Sequence, residues 1–210
     1  MKIVKPSHKL ILPMSGHDIC KHLEMCGRVC YKSEDKITEN SYEKFLKSII
    51  KRGHESVLEH ASFTVIFKCD RGISHEIVRH RIASYSQEST RYCNYGNEKF
   101  GGEISIIDIP CELFSNASAA QKLMQRGFKI CENIYIALLD MGVKPEIARG
   151  ILPTSLATTL VMTANIREWR HFFKLRTSSA AHPQVRELVI PLLKEVQDQI
   201  PILFDDIEVE

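Results

Sequence analysis

The chain has little that would carry it across or onto a membrane. No stretch approaches the roughly 18 consecutive apolar residues of a membrane span. The first residues, from Met1 to Met14, are interrupted by Lys, His and Pro, so they lack the apolar block of a signal peptide. We therefore expect a cytoplasmic protein with no membrane partner.

Cysteine pairs with metal-ligand or redox spacing are also absent. The seven cysteines are scattered through apolar contexts and form no CxxC motif. Cys20, Cys26 and Cys30 share one predicted helical face, where they are expected to serve as small core residues. We predict reduced thiols, none with a recognisable activating neighbourhood for nucleophilic catalysis.

A strong excess of charge is missing too. The formal net charge is +2, which argues against attraction of the whole surface to nucleic acid or to anionic lipid. Any basic binding site must therefore be a local cluster within an otherwise balanced sequence.

Common nucleotide-binding and metal motifs do not occur. Without a GxGxxG or P-loop pattern, the usual nucleotide-binding folds have no local support. His54, Glu59 and His60 have the spacing H-x4-E-H, which matches neither HExxH nor HxxEH. No metal site is predicted.

Hydrophobic periodicity indicates a mixture of helices and strands. With 44% hydrophobic and 26% charged residues and no repeat or linker, residues 1–210 are predicted to form a single domain. The expected class is α+β, a mixed α/β arrangement in which long helices flank a mostly antiparallel sheet. Helices are predicted near residues 18–31, 42–50, 73–78, 118–141, 145–149, 167–175 and 183–199, and strands near 2–4, 62–68, 103–109 and 158–163.

Burial is predicted for one face of the longest helix, and exposure for the C-terminal residues. The acidic side chains at the end of the chain are expected to be solvated and frayed: Asp205, Asp206, Glu208 and Glu210. The buried stripe of the longest helix is expected to contain Leu123, Phe128, Cys131, Ile134, Tyr135 and Leu138.

The densest local charge lies between Arg79 and Arg91. Four basic residues, Arg79, His80, Arg81 and Arg91, share this segment with a single acid, Glu88. Guanidinium groups bind phosphate through two parallel hydrogen bonds, and the interleaved hydroxyls can complete such a site. The segment favours a small ligand with several negative charges.

Two other interpretations of this segment stay open. A solvated basic surface would have the same composition, because charge clusters are usually exposed. A nucleic-acid patch would combine the arginines with Tyr85, Tyr92 and Tyr95 as stacking groups, although the small net charge weakens that interpretation.

The order of residues resembles that of a known family. RHR at Arg79 to Arg81, followed after seven residues by Ser89, Thr90 and Arg91, is similar to the signature of flavin-dependent thymidylate synthases. Further matches follow in the expected order between about residues 50 and 187: His54, Glu55, Glu59, His60, Arg149, Asn165, Arg167 and Arg176.

The resemblance implies an activity and an assembly. Family members methylate dUMP to dTMP with methylenetetrahydrofolate as the one-carbon donor. FAD carries the hydride and is reduced again by NADPH. The resemblance also implies a homotetramer whose active sites are built from several subunits, with no role for nucleic acid.

Contacts to the flavin and the nucleotide are implied residue by residue. The positions that match FAD contacts are Ser56, Arg79, His80, Arg81, Gln87, Asn165, Arg167 and His171. The positions that match dUMP contacts are Glu76, Arg79, Gln87, Glu88, Ser89, Thr90, Arg91, Arg149 and Arg176. Ser56 corresponds to a position beside the FAD of a neighbouring subunit.

Arg176 is the predicted catalytic residue. A fixed cation beside the uracil would favour ionisation of N3 and so raise electron density toward C5. Ser89 has no adjacent activating base, so it is predicted to bind phosphate rather than to act as a nucleophile. Glu76 stands where relatives often have Gln, which keeps open a flavoprotein with a changed nucleotide substrate.

Overall fold

The computed structural model describes residues 1–114 and 117–209. The strands are β1 (Lys2–Val4), β2 (Ser7–Ile11), β3 (Ser62–Asp70), β4 (Ala83–Gln87), β5 (Ser105–Ile107) and β6 (Ala157–Asn165). The helices are α1 (Gly16–Val29), α2 (Ser41–Lys51), α3 (Arg71–Ile77), α4 (Ala117–Asp140), α5 (Pro145–Ala148), α6 (Ile166–Arg176), α7 (Pro183–Gln199) and α8 (Pro201–Phe204).

The strands form two sheets. One contains four strands in the order β2-β3-β6-β4 and is antiparallel. The other pairs β1 with β5 in parallel, with Lys2 opposite Ser105 and Val4 opposite Ile107. The predicted mixture of long helices and a mostly antiparallel sheet is confirmed.

Several element boundaries follow from local chemistry. Ser15 caps α1, because its hydroxyl accepts a hydrogen bond from the Asp18 amide at 3.1 Å. Gly53 follows α2 with φ of +70°, the left-handed conformation that glycine adopts without strain. Pro183 occupies the first position of α7, where its fixed φ suits a helix start.

Helix α3 begins at Arg71, directly after β3, so Gly72 lies inside it, whereas the sequence predicted helix only from residue 73. The Asp70 carboxylate accepts a hydrogen bond from the Ile73 amide at 2.7 Å, and this N-cap starts the helix before the glycine.

Contacts divide the chain into two compact units, each made of separate stretches of the sequence. The first unit contains Met1–Ser7, Phe67–Arg79 and Ser86–Leu160, and the second contains His8–Ile66, His80–Tyr85 and Val161–Glu210. The single domain expected over residues 1–210 stays a prediction.

Aromatic side chains fill the core of the second unit. Phe63 stacks on Trp169 with ring centroids 4.7 Å apart, and the Trp169 indole donates to the Phe63 carbonyl at 3.1 Å. Phe172 and Phe173 on α6 pack edge-on against one another, and Phe173 contacts Phe204. This cluster fixes α6 against β3, which matters because α6 carries several candidate site residues.

The prediction of a frayed acidic tail is wrong for Asp206. Its carboxylate pairs with the guanidinium of Arg170 through two contacts of 2.6 Å, and Arg170 is only 2% exposed. This hydrogen-bonded ion pair lowers the pKa of Asp206. A buried cation needs a partner, and the tail supplies it; Glu210 lies outside the described residues.

The predicted buried stripe of α4 is also partly wrong. Tyr135 is fully buried, but Leu123 and Ile134 are 69% and 41% exposed. The helix instead turns the Glu132 carboxylate inward, where it accepts a hydrogen bond from the Ile104 amide at 3.1 Å. A prediction from apolar residues alone cannot include Glu132, whose buried carboxylate helps to determine which face of α4 points inward.

Cysteine burial differs from the core interpretation at one position. Cys20 is buried, Cys26 is half-buried and Cys30 is exposed at the end of α1. Burial raises the pKa of Cys20 to about 12, which keeps that thiol protonated.

Among the described residues, no helix is long and apolar enough to cross a membrane.

Candidate functional site

The candidate residues fall in both units. Those in the first unit are Glu76, Arg79, Gln87, Glu88, Ser89, Thr90, Arg91 and Arg149. Those in the second unit are Ser56, His80, Arg81, Asn165, Arg167, His171 and Arg176. All predicted nucleotide contacts except Arg176 lie in the first unit. All predicted flavin contacts except Arg79 and Gln87 lie in the second unit.

A cationic pocket of 270 Å³ lies in the first unit. Thr90 and Arg149 both line it, and an Arg149 guanidinium nitrogen donates to the Thr90 hydroxyl at 3.1 Å. Arg71 and His75 line the same pocket. Three basic side chains and a hydroxyl around a small concavity can bind a phosphate group.

Arg71 and His75 were not predicted from the sequence. They precede the basic segment, on α3, and their spacing of four residues places them on one helical face. A search for basic residues at helical spacing upstream of Arg79 would have found them.

The side chains of Gln87 and Glu88 bind protein groups. Gln87 donates to the Ser74 hydroxyl at 2.8 Å. The Glu88 carboxylate accepts from the Tyr95 hydroxyl at 2.7 Å and from the Thr159 amide at 3.3 Å. Burial and this carboxylate raise the pKa of Tyr95 above its usual range. Both side chains anchor the end of β4, which fixes the backbone that leads into Ser89.

Ser89 and Arg91 form the turn after β4. The Ser89 hydroxyl accepts from the Arg91 amide at 3.3 Å, and its carbonyl accepts from the Cys93 amide at 2.9 Å. Arg91 is more than half exposed and lies 4.0 Å from a Glu146 carboxylate oxygen. An ion pair of this length and exposure is weak, so the guanidinium can turn to an anionic ligand.

A second cavity, of 430 Å³, lies in the second unit. Asn165, Arg167 and His171, all predicted to contact the flavin, line it together with Lys174. Asn165 caps α6, because its side-chain oxygen accepts from the Glu168 amide at 2.9 Å. The first turn of α6, the helix end that favours negative charge, therefore faces this cavity.

Two acids hold Arg167 at the edge of this cavity. Its guanidinium donates to Glu59 at 2.7 Å and lies 3.6 Å from Glu55, both in the turn Glu55–His60. These contacts raise the pKa of Arg167, led by the hydrogen bond to Glu59. Ser56 is exposed in the same turn. The acids of the GHESVLEH segment thus orient an arginine.

A chain of hydrogen bonds joins Glu168, His80 and Arg176. Arg176 Nε donates to His80 Nε2 at 3.1 Å, and His80 Nδ1 lies 3.1 Å from Glu168 Oε1. Because Nε2 accepts, the proton of a neutral imidazole must be on Nδ1 and donate to Glu168. We call this arrangement the Glu168–His80–Arg176 chain.

The surroundings keep His80 neutral. It is 4% exposed, and burial together with Arg176 and His171 lowers its pKa to about 4. Burial also raises the pKa of Glu168. The sequence pointed to His80 through the RHR motif, but only the fold brings it to Arg176.

Metal binding at the Glu168–His80–Arg176 chain would conflict with the hydrogen bonds within it. Among residues 1–114 and 117–209, one group of three possible ligands has its donor atoms within 4.8 Å: His80, Glu168 and His171. However, the Nε2 lone pair of His80 is occupied by Arg176, and its Nδ1 carries the proton. A fixed guanidinium beside these atoms would also repel a cation.

Comparison with known proteins identifies the family. A family model described as thymidylate synthase complementing protein matches residues 13–202. A relative from Geobacter sulfurreducens, named flavin-dependent thymidylate synthase, is 37% identical over 193 residues, 87% of this chain and 79% of its own length. One with the same name from Pyrococcus furiosus is 36% identical over 174 residues, 81% of this chain and 68% of its own. The chain belongs to the flavin-dependent thymidylate synthase family.

The fold agrees with this family assignment. The crystal structure of a UMP/dUMP methylase, PolB, from Streptomyces cacaoi bound with 5-Br dUMP has a TM-score of 0.80. The similarity covers 98% of this chain and 96% of that chain at 19% identity, so it concerns the fold alone. The predicted family is confirmed, and the candidate residues from Ser56 to Arg176 all lie within the part that matches the flavin-dependent thymidylate synthase family.

Proposed function

We propose that the chain methylates dUMP at C5 to form dTMP, with a flavin as the hydride carrier. The observation that carries this proposal is its 37% identity to a relative named flavin-dependent thymidylate synthase, over 87% of the chain. Both a cationic pocket and a cavity lined by predicted flavin contacts support it.

The cavity in the second unit fits part of a flavin dinucleotide. Its 430 Å³ lies in the range of small-molecule sites, which is about 300–1,000 Å³. Lys174 supplies positive charge for a pyrophosphate, and Arg167 lies beside it in ion pairs with Glu55 and Glu59, which line the same cavity. Asn165 and His171 supply hydrogen-bonding groups. Reduced FAD, when bound, supplies a hydride. The chain's own residues bind and orient it.

The pocket in the first unit suits the phosphate of dUMP. Arg149 and Arg71 offer guanidinium forks, and Thr90 offers a hydroxyl. Arg91 and the turn at Ser89 are proposed to add to this site from the end of β4. The exposed half of Arg91 makes it available for such a contact.

Arg176 is proposed as the catalytic residue. A guanidinium beside the uracil would favour the N3-ionised form and so increase electron density at C5. His80 holds the Nε end of this guanidinium at 3.1 Å, so its placement is fixed before substrate binds. Preorganised charge of this kind costs no reorganisation during the reaction.

The co-substrates and the assembly complete the proposal. Methylenetetrahydrofolate donates the one-carbon unit, and NADPH reduces the flavin again after each turnover. We further propose a homotetramer with shared active sites, supported by apolar side chains that α4 leaves exposed: Leu123, Ile130 and Ile134.

Tritium release from 5-tritiated dUMP tests the activity, because the C5 hydrogen leaves as a proton when the methyl group replaces it. We expect release that requires FAD, methylenetetrahydrofolate and NADPH together. The purified protein should be yellow, and anaerobic NADPH should bleach it. A protein that cannot be reconstituted with FAD would contradict the proposal.

The test also separates the two rivals. A bound flavin without tritium release would favour a changed nucleotide substrate, for which Glu76 on α3 is the motivating residue. Binding to nucleic acid that weakens steeply with salt and ignores dUMP would favour a nucleic-acid module.

A further inference from the structure

Glu168 is a buried acid for which the proposed chemistry has so far required no role. It lies on the first turn of α6 and is 7% exposed, and its amide is held by Asn165. Its carboxylate faces His80 Nδ1 at 3.1 Å. Burial of a carboxylate is costly unless hydrogen bonds compensate it, so this contact needs an explanation.

The direction of the hydrogen bonds supplies one. A carboxylate at Nδ1 accepts a proton and so favours the imidazole tautomer with Nδ1–H and a free lone pair on Nε2. Arg176 has only donors, so it can approach Nε2 in this tautomer alone. In the other tautomer, two N–H groups would face each other.

Other groups around the His80 ring do not select a tautomer. Phe172 and His171 contact the ring edge-on, with centroids 4.9 and 5.6 Å away. Tyr85 donates to the His80 backbone carbonyl rather than to the ring. Glu168 and Arg176 are therefore the two ring contacts that favour the Nδ1–H tautomer, and Glu168 is the one that accepts the proton.

We propose that Glu168 is a positioning residue that holds His80 in the Nδ1–H tautomer and thereby fixes the guanidinium of Arg176. The inference rests on the proposed function, in which Arg176 acts on the uracil. Carboxylates that orient an active-site imidazole act in the same way in metal sites and in hydrolases.

Two substitutions separate orientation from charge. Glu168→Gln keeps an oxygen that accepts from Nδ1–H, so the tautomer should be retained and kcat should stay close to that of the unmodified protein. Glu168→Met keeps the volume without an acceptor. We expect it to lower kcat by about 10- to 100-fold, the usual effect of losing such a partner. KM for dUMP should change little, since the phosphate pocket is intact.

A matched control measures the effect of removing a buried carboxylate that lies away from His80. Glu24 on α1 is 1% exposed and pairs with Arg28 at 2.7 Å. Glu24→Met should reduce the free energy of unfolding but leave kcat per folded molecule unchanged. A fall in kcat that matches Glu168→Met would mean that general destabilisation, not orientation, explains the effect.

The tautomer itself is measured by nitrogen-15 NMR of labelled histidine, with His80→Gln used to assign the signal. We expect a protonated Nδ1 and an unprotonated Nε2 in the unmodified protein and in Glu168→Gln, and a protonated Nε2 in Glu168→Met. An unchanged tautomer in Glu168→Met, or full kcat in that variant, would overturn the inference.

These measurements distinguish the inference from the function on which it rests. If the unmodified protein forms no dTMP, the proposed function fails, while the NMR result still reports whether Glu168 selects the tautomer. If dTMP forms and Glu168→Met is fully active, the function stands and Glu168 has no positioning role.

Discussion

His80 shows how burial sets the charge of one residue. Its pKa is lowered to about 4, whereas an unfolded histidine titrates near 6.5. Between these values the unfolded chain binds more protons than the folded chain, so stability rises with pH across that window. The contribution is fully present above pH 6.5 and is lost as the pH falls toward 4.

We therefore expect the free energy of unfolding to fall as the pH falls from 6.5 to 4, measured by urea unfolding at each pH. Glu168 opposes this trend, because its raised pKa makes the folded state bind protons more readily. In His80→Gln the decline over this window should be shallower. An equally steep decline in that variant would assign it to other groups.

Arg71 lines the pocket proposed for the dUMP phosphate. If it binds phosphate, Arg71→Gln should raise KM for dUMP about tenfold and change kcat much less, because such a contact is made equally in the ground and transition states. Arg71→Lys should be intermediate, since it keeps the charge but loses the fork. Steady-state kinetics at varied dUMP would measure both.

A distant arginine provides the control. Arg52 is exposed at the end of α2, in the second unit, and Arg52→Gln should leave KM for dUMP unchanged. If Arg71→Gln behaves like Arg52→Gln, Arg71 does not bind substrate.

Among the elements, the helices were predictable where sequence chemistry is local. Pro183 and the apolar period predicted α7 over 183–199, and the structure has it at Pro183–Gln199. Strand β4, with the sequence ASYSQ, was missed because it has no β-branched residue. Its place at the edge of the four-stranded sheet depends on pairing with distant residues.

The same contrast holds for the candidate site. The RHR motif identified His80, and a motif far along the chain identified Arg176, but nothing in the sequence states that the two side chains touch. Arg71 and His75 were not predicted, because only the folded structure brings them into one pocket with Arg149. Motifs predict which residue types matter, whereas tertiary contacts decide what each one touches.

The C-terminal residues contact α6 and stabilise it. The α8 segment and the residues after it hold Arg170 through Asp206 and the Leu203 carbonyl. Asp206→Asn should lower the free energy of unfolding by about 2 kcal/mol. This is less than the 3–5 kcal/mol typical of a broken buried pair, because Asp206 itself is half exposed.

Urea unfolding at pH 7 would measure this loss. Asp205→Asn is the matched control, because Asp205 is the adjacent exposed acid, and it should change stability by less than about 0.5 kcal/mol. Because the pKa of Asp206 is lowered, its contribution is present above its ordinary titration range and is lost as the pH falls through its folded value. Equal effects of the two substitutions would contradict the assigned role of the tail.

For the whole molecule, the exposed stripe of α4 is the feature to test. Leu123, Ile130 and Ile134 are spaced by seven and four residues, so they share one face of the helix. They are 69%, 59% and 41% exposed, which is unusual for three large apolar side chains on one face. The proposed tetramer would cover them.

Ile130→Arg should therefore dissociate the assembly, because a charge on this face would be buried without a partner in the contact. Light scattering coupled to size exclusion should give a lower mass than for the unmodified protein. Lys122→Ser alters an exposed residue of α4 outside the stripe and should keep the assembly intact. If active sites are shared, dTMP formation should fall with the mass. An unchanged mass for Ile130→Arg would mean that this face of α4 does not contact another subunit.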